Sequence, residues 1–272
     1  MMKYLAALMI ALTITGCNRT PDTVDGIIAA AKPITMYDSE KAYIASHEVI
    51  MGFPVNIEPI VSSKNGKPAG YAAKITELIM KRTGLRVRFV EYQSNAVIVP
   101  AFLAKEMDVA MAATDVVERR AVVTVSHPYT IGNGVMLVGE MPMKFPMRVA
   151  IGSKYAVQES IAKLASLVTF APYDNDELGF QALMNKDVGG HITVQPVADF
   201  LEKKYNRQFA RSPMNFVYAI GYGCQVDQTM VCQILNKGVD SITPEERAVF
   251  EKTFFVKPLD KIDPPVKYGT VN

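Results

Sequence analysis

The stretch Asp108–Tyr129 reads DVAMAATDVVERRAVVTVSHPY. Val109 to Ala113 is an apolar strand that ends in small residues and Thr114, and Arg119 follows shortly, ahead of Ser126-His127-Pro128-Tyr129. A threonine hydroxyl and a guanidinium fork delivered to one strand end make a grip for a carboxylate or another small anion. Ligands of open α/β sheets sit beyond the carboxyl ends of strands, so Ala112, Thr114 and Arg119 are candidate binding residues. Thr114 and Asp115 read equally as caps for the segment that carries Arg119. Arg120 is expected on the surface, pairing with Glu118.

Outward from this stretch, strands and helices alternate. Val49–Phe53 is a short apolar strand, and Ala72–Thr83 places Ile75, Leu78 and Ile79 on one helical face before Gly84 stops it. Arg86–Tyr92 is a strand, Val97–Lys105 a helix, and Val109–Ala113 the next strand. This order predicts a parallel α/β sheet with right-handed crossovers. Gly134–Gly139 leaves that first unit, and Met141–Pro146 is a proline-punctuated bend. A second series follows: strand Val149–Ile151, helix Ala156–Leu164, strand Val168–Pro172, helix Asp176–Asn185, strand His191–Val194, helix Pro196–Lys204. Phe216–Tyr222 returns to the first unit, which the helices Asp227–Val239 and Pro244–Thr253 complete.

At the start, Lys3 precedes an apolar run from Tyr4 to Ile14 that closes with Thr15-Gly16-Cys17, the pattern of a secretory signal too short to span a bilayer. Residues 18–40 are expected to be a tether, with helix around Val24–Ala31. The chain has 272 residues, 49% of them apolar, and a formal net charge of +2, which offers no basic face for nucleic acid. Cys224 and Cys232 are either a local disulfide or buried free thiols. The three histidines stand in unlike contexts, so no metal site and no cofactor are expected.

Several segments together resemble the family 3 extracellular solute-binding proteins. They are Asn65–Tyr71 before an amphipathic helix, Phe102–Asp108, Arg119, Val125–Tyr129, Tyr173-Asp174-Asn175-Asp176 before a helix, Leu235-Asn236-Lys237, and Ser241–Arg247. The resemblance implies a two-lobed periplasmic-binding-protein type II, or Venus-flytrap, fold of class α/β. Lobe I would comprise 41–140 and 218–272, and lobe II 141–217, with the ligand in the cleft between them. Arg119 matches the arginine that clamps the ligand's carboxylate, and Thr114 a hydroxyl beside it. Ser153 and Asp174 fall at helix starts in lobe II, while Phe53, Ile57 and Tyr129 are expected as cleft walls. Cys17 resembles the acylated cysteine of a bacterial lipoprotein, leaving residues 1–17 as a signal peptide ending there.

Departures from the family's pattern narrow the ligand. Val116 replaces a ligand-binding threonine, and Val194 the aspartate that meets an α-ammonium. A buried ammonium without a counter-charge is costly, so a standard α-amino acid is not expected. The resemblance thus implies a lipid-anchored, monomeric receptor outside the cytoplasm for a small carboxylated or anionic solute, serving an ABC permease. A sensor or envelope accessory module is the alternative, and Asn18 after Cys17 favours the outer membrane. An enzyme such as a cyclohexadienyl dehydratase would need an acid or base, for which Glu58, Asp115 and His127 are the candidates; no enzyme is expected.

Overall fold

Apolar β-branched runs separated by amphipathic helices build a layered α/β structure. The computed structural model describes residues 21–140, 143, 145–153, 168–257 and 259. Cys17, the segment 1–17 and the expected helix Ala156–Leu164 lie outside them. The first unit holds β1 (Val49–Pro54), β5 (Val87–Tyr92) and β6 (Val109–Thr114), with β1 parallel to both β5 and β6. A small antiparallel sheet of β2 (Asn56–Ile57), β3 (Val61–Lys64) and β4 (Lys67–Ala69) covers one edge. The helices α3 (Tyr71–Thr83) and α4 (Asn95–Leu103) supply the crossovers. In the second unit β9 (Met147–Gly152) runs parallel to β10 (Val168–Tyr173) and β11 (Gly190–Val194), joined by α5 (Asp176–Met184) and followed by α6 (Gln195–Lys204).

Two long strands belong to both units: β8 (Thr130–Val138) and β12 (Ala210–Gln225). They pair antiparallel with each other, and, apart from β2–β4, the described strands join into one sheet in the order β10-β9-β11-β8-β12-β6-β1-β5, with β7 (Val123–Val125) on β12. Gly134 to Val138 of β8 already pair with β11, so the chain enters lobe II between Thr130 and Gly134, ahead of position 140. It returns between Val217 and Ile220, where β12 passes from β8 Asn133 to β6 Thr114.

Lobe I closes with α7 (Thr229–Asp240) and α8 (Pro244–Phe254), the latter opened by a reciprocal cap in which Thr243 and Glu246 satisfy each other's backbone N–H. Arg82 ties α3 to this layer, donating to Glu246 Oε1 at 2.6 Å and to the Ser241 carbonyl at 2.6 Å. The helices α3 and α7 touch at Gly238, where an added Cβ would stand 2.4 Å from Ile79 Cγ2. Gly238→Val is therefore expected to lower stability by about 1–3 kcal/mol through overpacking. A thermal melt of the variant that matches wild type would show that the helices do not pack this closely.

The N-terminal segment departs from the expected tether. The helix α1 (Val24–Ala30) buries Val24, Ile27 and Ile28 against α3 and α8, and Asp25 pairs with Lys74 at 2.9 Å. Thr23 caps it by accepting the Gly26 N–H at 3.1 Å. The following helix, α2 (Asp38–Ser46), is fastened by Glu40, which accepts Lys237 at 2.7 Å and the Tyr37 N–H at 2.6 Å. The physical reason is the spacing of apolar residues at i, i+3 and i+4 in Val24, Ile27 and Ile28, a stripe that a free tether would leave in water.

Cys224 and Cys232 are buried free thiols, so the bridge between them is not formed in this structure. Cys232 Sγ points at the carbonyl of Thr124 at 3.7 Å, and Thr124 is the strand partner of Cys224. The Cys232 sulfur beside it and burial push the Cys224 thiol up.

Candidate functional site

Strand register locates the site. β12 reaches lobe I at the pair Ile220–Thr114, the carboxyl end of β6, and β8 reaches lobe II at the pair Gly134–Val194, the carboxyl end of β11. Both carboxyl ends therefore lie on the boundary between the lobes. Along β8 the interval runs from Thr130, the partner of Ile220, to Gly134. At roughly 3.3 Å per strand residue this separates the two ends by about 13 Å.

Thr114 and Ala112 sit half-buried at the boundary end of β6. Arg119 closes the short helical turn Val117–Arg119 that follows, half-buried, with its backbone N–H bonded to the Val116 carbonyl at 3.0 Å. Asp115 is not a cap. Its carboxylate takes both arms of Arg120, Nε to Oδ1 at 2.9 Å and Nη2 to Oδ2 at 2.7 Å, and so braces the loop. Arg120 thus pairs with Asp115, because the turn brings positions five apart together.

Ile57 lies half-buried on β2. In lobe II Ser153 follows the boundary end of β9, its N–H bonded to the Tyr173 carbonyl at 2.7 Å, while Asp174 is exposed in the bend before α5. The residues that follow Ser153, up to position 167, lie outside the described residues.

Phe53 and Tyr129 are core residues, not cleft walls: both are 0% exposed. Phe53 packs edge-on against Phe89. Tyr129 donates its hydroxyl to the Met111 carbonyl at 2.9 Å, and its own carbonyl accepts from Tyr71 and Arg247. Burial pushes the phenols of Tyr71, Tyr129 and Tyr222 far up, so they remain neutral donors. Val116 is buried and Val194 half-buried.

The candidate acids and bases do not converge. Asp115 holds Arg120, His127 Nδ1 lies 2.8 Å from Asp240 Oδ1 beside α7, and Glu58 faces lobe II. Two features escaped the sequence reading. His191 and Asp176 form a buried pair beneath α5, 3.3 Å apart. Asp176 belongs to the Tyr173–Asp176 segment, but nothing in the sequence pairs it with His191. The second is that β2 touches α5, so that Glu58 of lobe I meets Glu177 and Lys204 of lobe II.

Burial pushes the Glu58 carboxyl up, Lys204 works against it and Glu177 adds to it. A raised carboxyl pKa means that the folded arrangement favours the protonated form, so ionised Glu58 costs stability at neutral pH and that cost fades as pH falls through its pKa. Glu58→Gln is expected to melt above wild type at pH 7, the difference shrinking towards about pH 4, where an ordinary glutamate is protonated as well. Melting curves across that range check it; a difference that grows with acidity contradicts it.

Two α/β lobes, joined by a pair of crossing strands with the carboxyl ends of β6 and β11 at their boundary, define a two-lobed binding-protein fold of the periplasmic type II, or Venus-flytrap, class. The chain belongs to the bacterial extracellular solute-binding proteins, family 3, whose family model matches residues 49–256. Its structure is similar to the periplasmic VFT2 domain of BvgS from Bordetella pertussis, with a TM-score of 0.73 and 18% identity over 81% of this chain and 99% of that one. The ancestral amino acid-binding protein AncCDT-1, a precursor of cyclohexadienyl dehydratase, matches at 0.66 and 17% identity over 80% of this chain and 100% of that one. The substrate binding protein of an amino acid ABC transporter matches at 0.65 and 17% identity over 78% and 100%. No curated protein sequence matches the chain. Among the described residues no helix is long and apolar enough to cross a membrane.

Proposed function

We propose that this chain is a lipid-anchored receptor outside the cytoplasm that closes its lobes over a small carboxylated or anionic solute and presents it to an ABC importer. The register that puts the carboxyl ends of β6 and β11 on the lobe boundary carries the reading. Arg119 is the carboxylate clamp, with Thr114, Ala112 and Ile57 beside it on lobe I, and Ser153 and Asp174 contribute from lobe II. Val194 at the end of β11 leaves an α-ammonium without a counter-charge there, which turns the preference away from standard α-amino acids. Only the closed form lets both lobes touch the solute, so differential affinity for that form drives closure. Cys17 carries the lipid.

A periplasmic sensor or accessory module is the second reading, favoured by the similarity to the BvgS VFT2 domain. A thermal-shift screen of organic acids, amino acids and short peptides tests solute capture: at least one carboxylate stabilises the protein, whereas stabilisation by none of them counts against it. Fractionation of inner from outer membrane separates the two readings, since a receptor feeding an importer belongs with the inner membrane.

A further inference from the structure

We infer that the start of α1 and the α3 surface beside it, with Lys74 and Glu77, lie against the bilayer that holds the lipidated Cys17. The inference rests on the lipoprotein reading above. Its carrier is the docking of α1: Val24, Ile27 and Ile28 are buried at 6%, 1% and 5% exposure, Thr23 caps the helix, and Asp25 is paired with Lys74. The folded body therefore starts no later than Asp22, not after residue 40.

From Cys17 to Pro21 the chain advances four positions. Even fully extended this reaches roughly 14 Å, at most about 3.6 Å per residue. A folded chain of this size has a radius of gyration of roughly 18 Å. A leash shorter than the body's own radius cannot let the body turn over, and it holds the leashed face at the headgroups. Had the leash extended through residue 40, a reach of roughly 80 Å would have freed every face.

The test uses the full acylated chain in liposomes of phosphatidylethanolamine and phosphatidylglycerol, with an acceptor dye on the headgroups. A donor is placed at Glu77→Cys or, on lobe II, at Lys186→Cys; both native side chains are exposed enough to label, while Cys224 and Cys232 are buried. Transfer from position 77 should exceed that from 186 by about twofold or more. Inserting 20 Gly/Ser residues between Thr20 and Pro21, which leaves α1 docked, should remove most of that difference, because such a linker spans about 5–6 Å times the square root of its length. Equal transfer from the two sites in the acylated wild type, or a difference unmoved by the insertion, overturns the inference while leaving the lipoprotein reading intact. Mass spectrometry showing no acyl group on Cys17 overturns both.

Discussion

Arg119→Ala is expected to remove most of the thermal shift produced by whichever carboxylate stabilises the wild type, while the unliganded protein melts within a few degrees of it. A ligand at 100 times its dissociation constant adds about 2.7 kcal/mol to the folded state, roughly 5–10 °C for a body of this size. Removing one partner of a desolvated charge pair costs about 2–5 kcal/mol. Kd then rises by about 30-fold or more, and at the same ligand concentration most of the shift disappears. The melt of the unliganded variant separates loss of a solute contact from general destabilisation, and the loop keeps its Asp115–Arg120 pair. Thr114→Val should produce a smaller loss, in keeping with one neutral hydrogen bond at about 1 kcal/mol. A full shift in the Arg119→Ala protein would remove the guanidinium from the site.

The largest effect on stability is expected from Arg211→Met. Arg211, on the lobe II part of β12, donates to Asp199 at 2.6 Å and to Glu202, both on α6 and both with side chains only 1% exposed. Lys257, beyond α8, approaches Asp199 at 3.3 Å, while Glu202 also accepts the Phe209 N–H at 3.0 Å. Methionine fills similar space but leaves buried carboxylates short of a counter-ion, an error that costs about 3–5 kcal/mol. The melting temperature should fall by roughly 6–20 °C. Neutralising the acids in the same chain, with Asp199→Asn and Glu202→Gln, should recover at least half of the loss, because the penalty belongs to the uncompensated charge. If the triple variant is no more stable than Arg211→Met, the cost is one of packing and the electrostatic explanation fails.

The parallel core of both lobes was legible because each strand there is an apolar β-branched run bounded by a helix stop, as at Gly84, or by a proline-rich bend. Its boundaries moved by a residue or two, as in β6, which extends from Ala113 to Thr114. The crossing strands were harder. Their residues belong half to one lobe and half to the other, so no single periodicity marks the 16 residues of β12. The short strands β2 to β4 and β7 carry too few residues for a pattern, and they owe their existence to partners far along the chain.

At the candidate site the sequence offers residue types but not the directions of their side chains. Thr114 and Arg119 follow from the end of an apolar strand, whereas Phe53 and Tyr129 were placed at the cleft because aromatics at strand ends fit either side of a sheet. Only the hydroxyl partners, Met111 for Tyr129 among them, decide that its ring points inward. The N-terminal segment shows the opposite case. The apolar spacing of Val24, Ile27 and Ile28 was present in the sequence, but its significance depended on α3 and α8 forming a surface to receive it.

The central claim is that a carboxylated solute is held between the lobes by Arg119. A crystal structure of the protein with the carboxylate that stabilises it most tests this directly. The expected result is the solute in the gap between the carboxyl ends of β6 and β11, its carboxylate against the Arg119 guanidinium, with residues of both lobes in contact. A solute bound elsewhere, or bound in the gap with Arg119 turned away from it, would contradict the account.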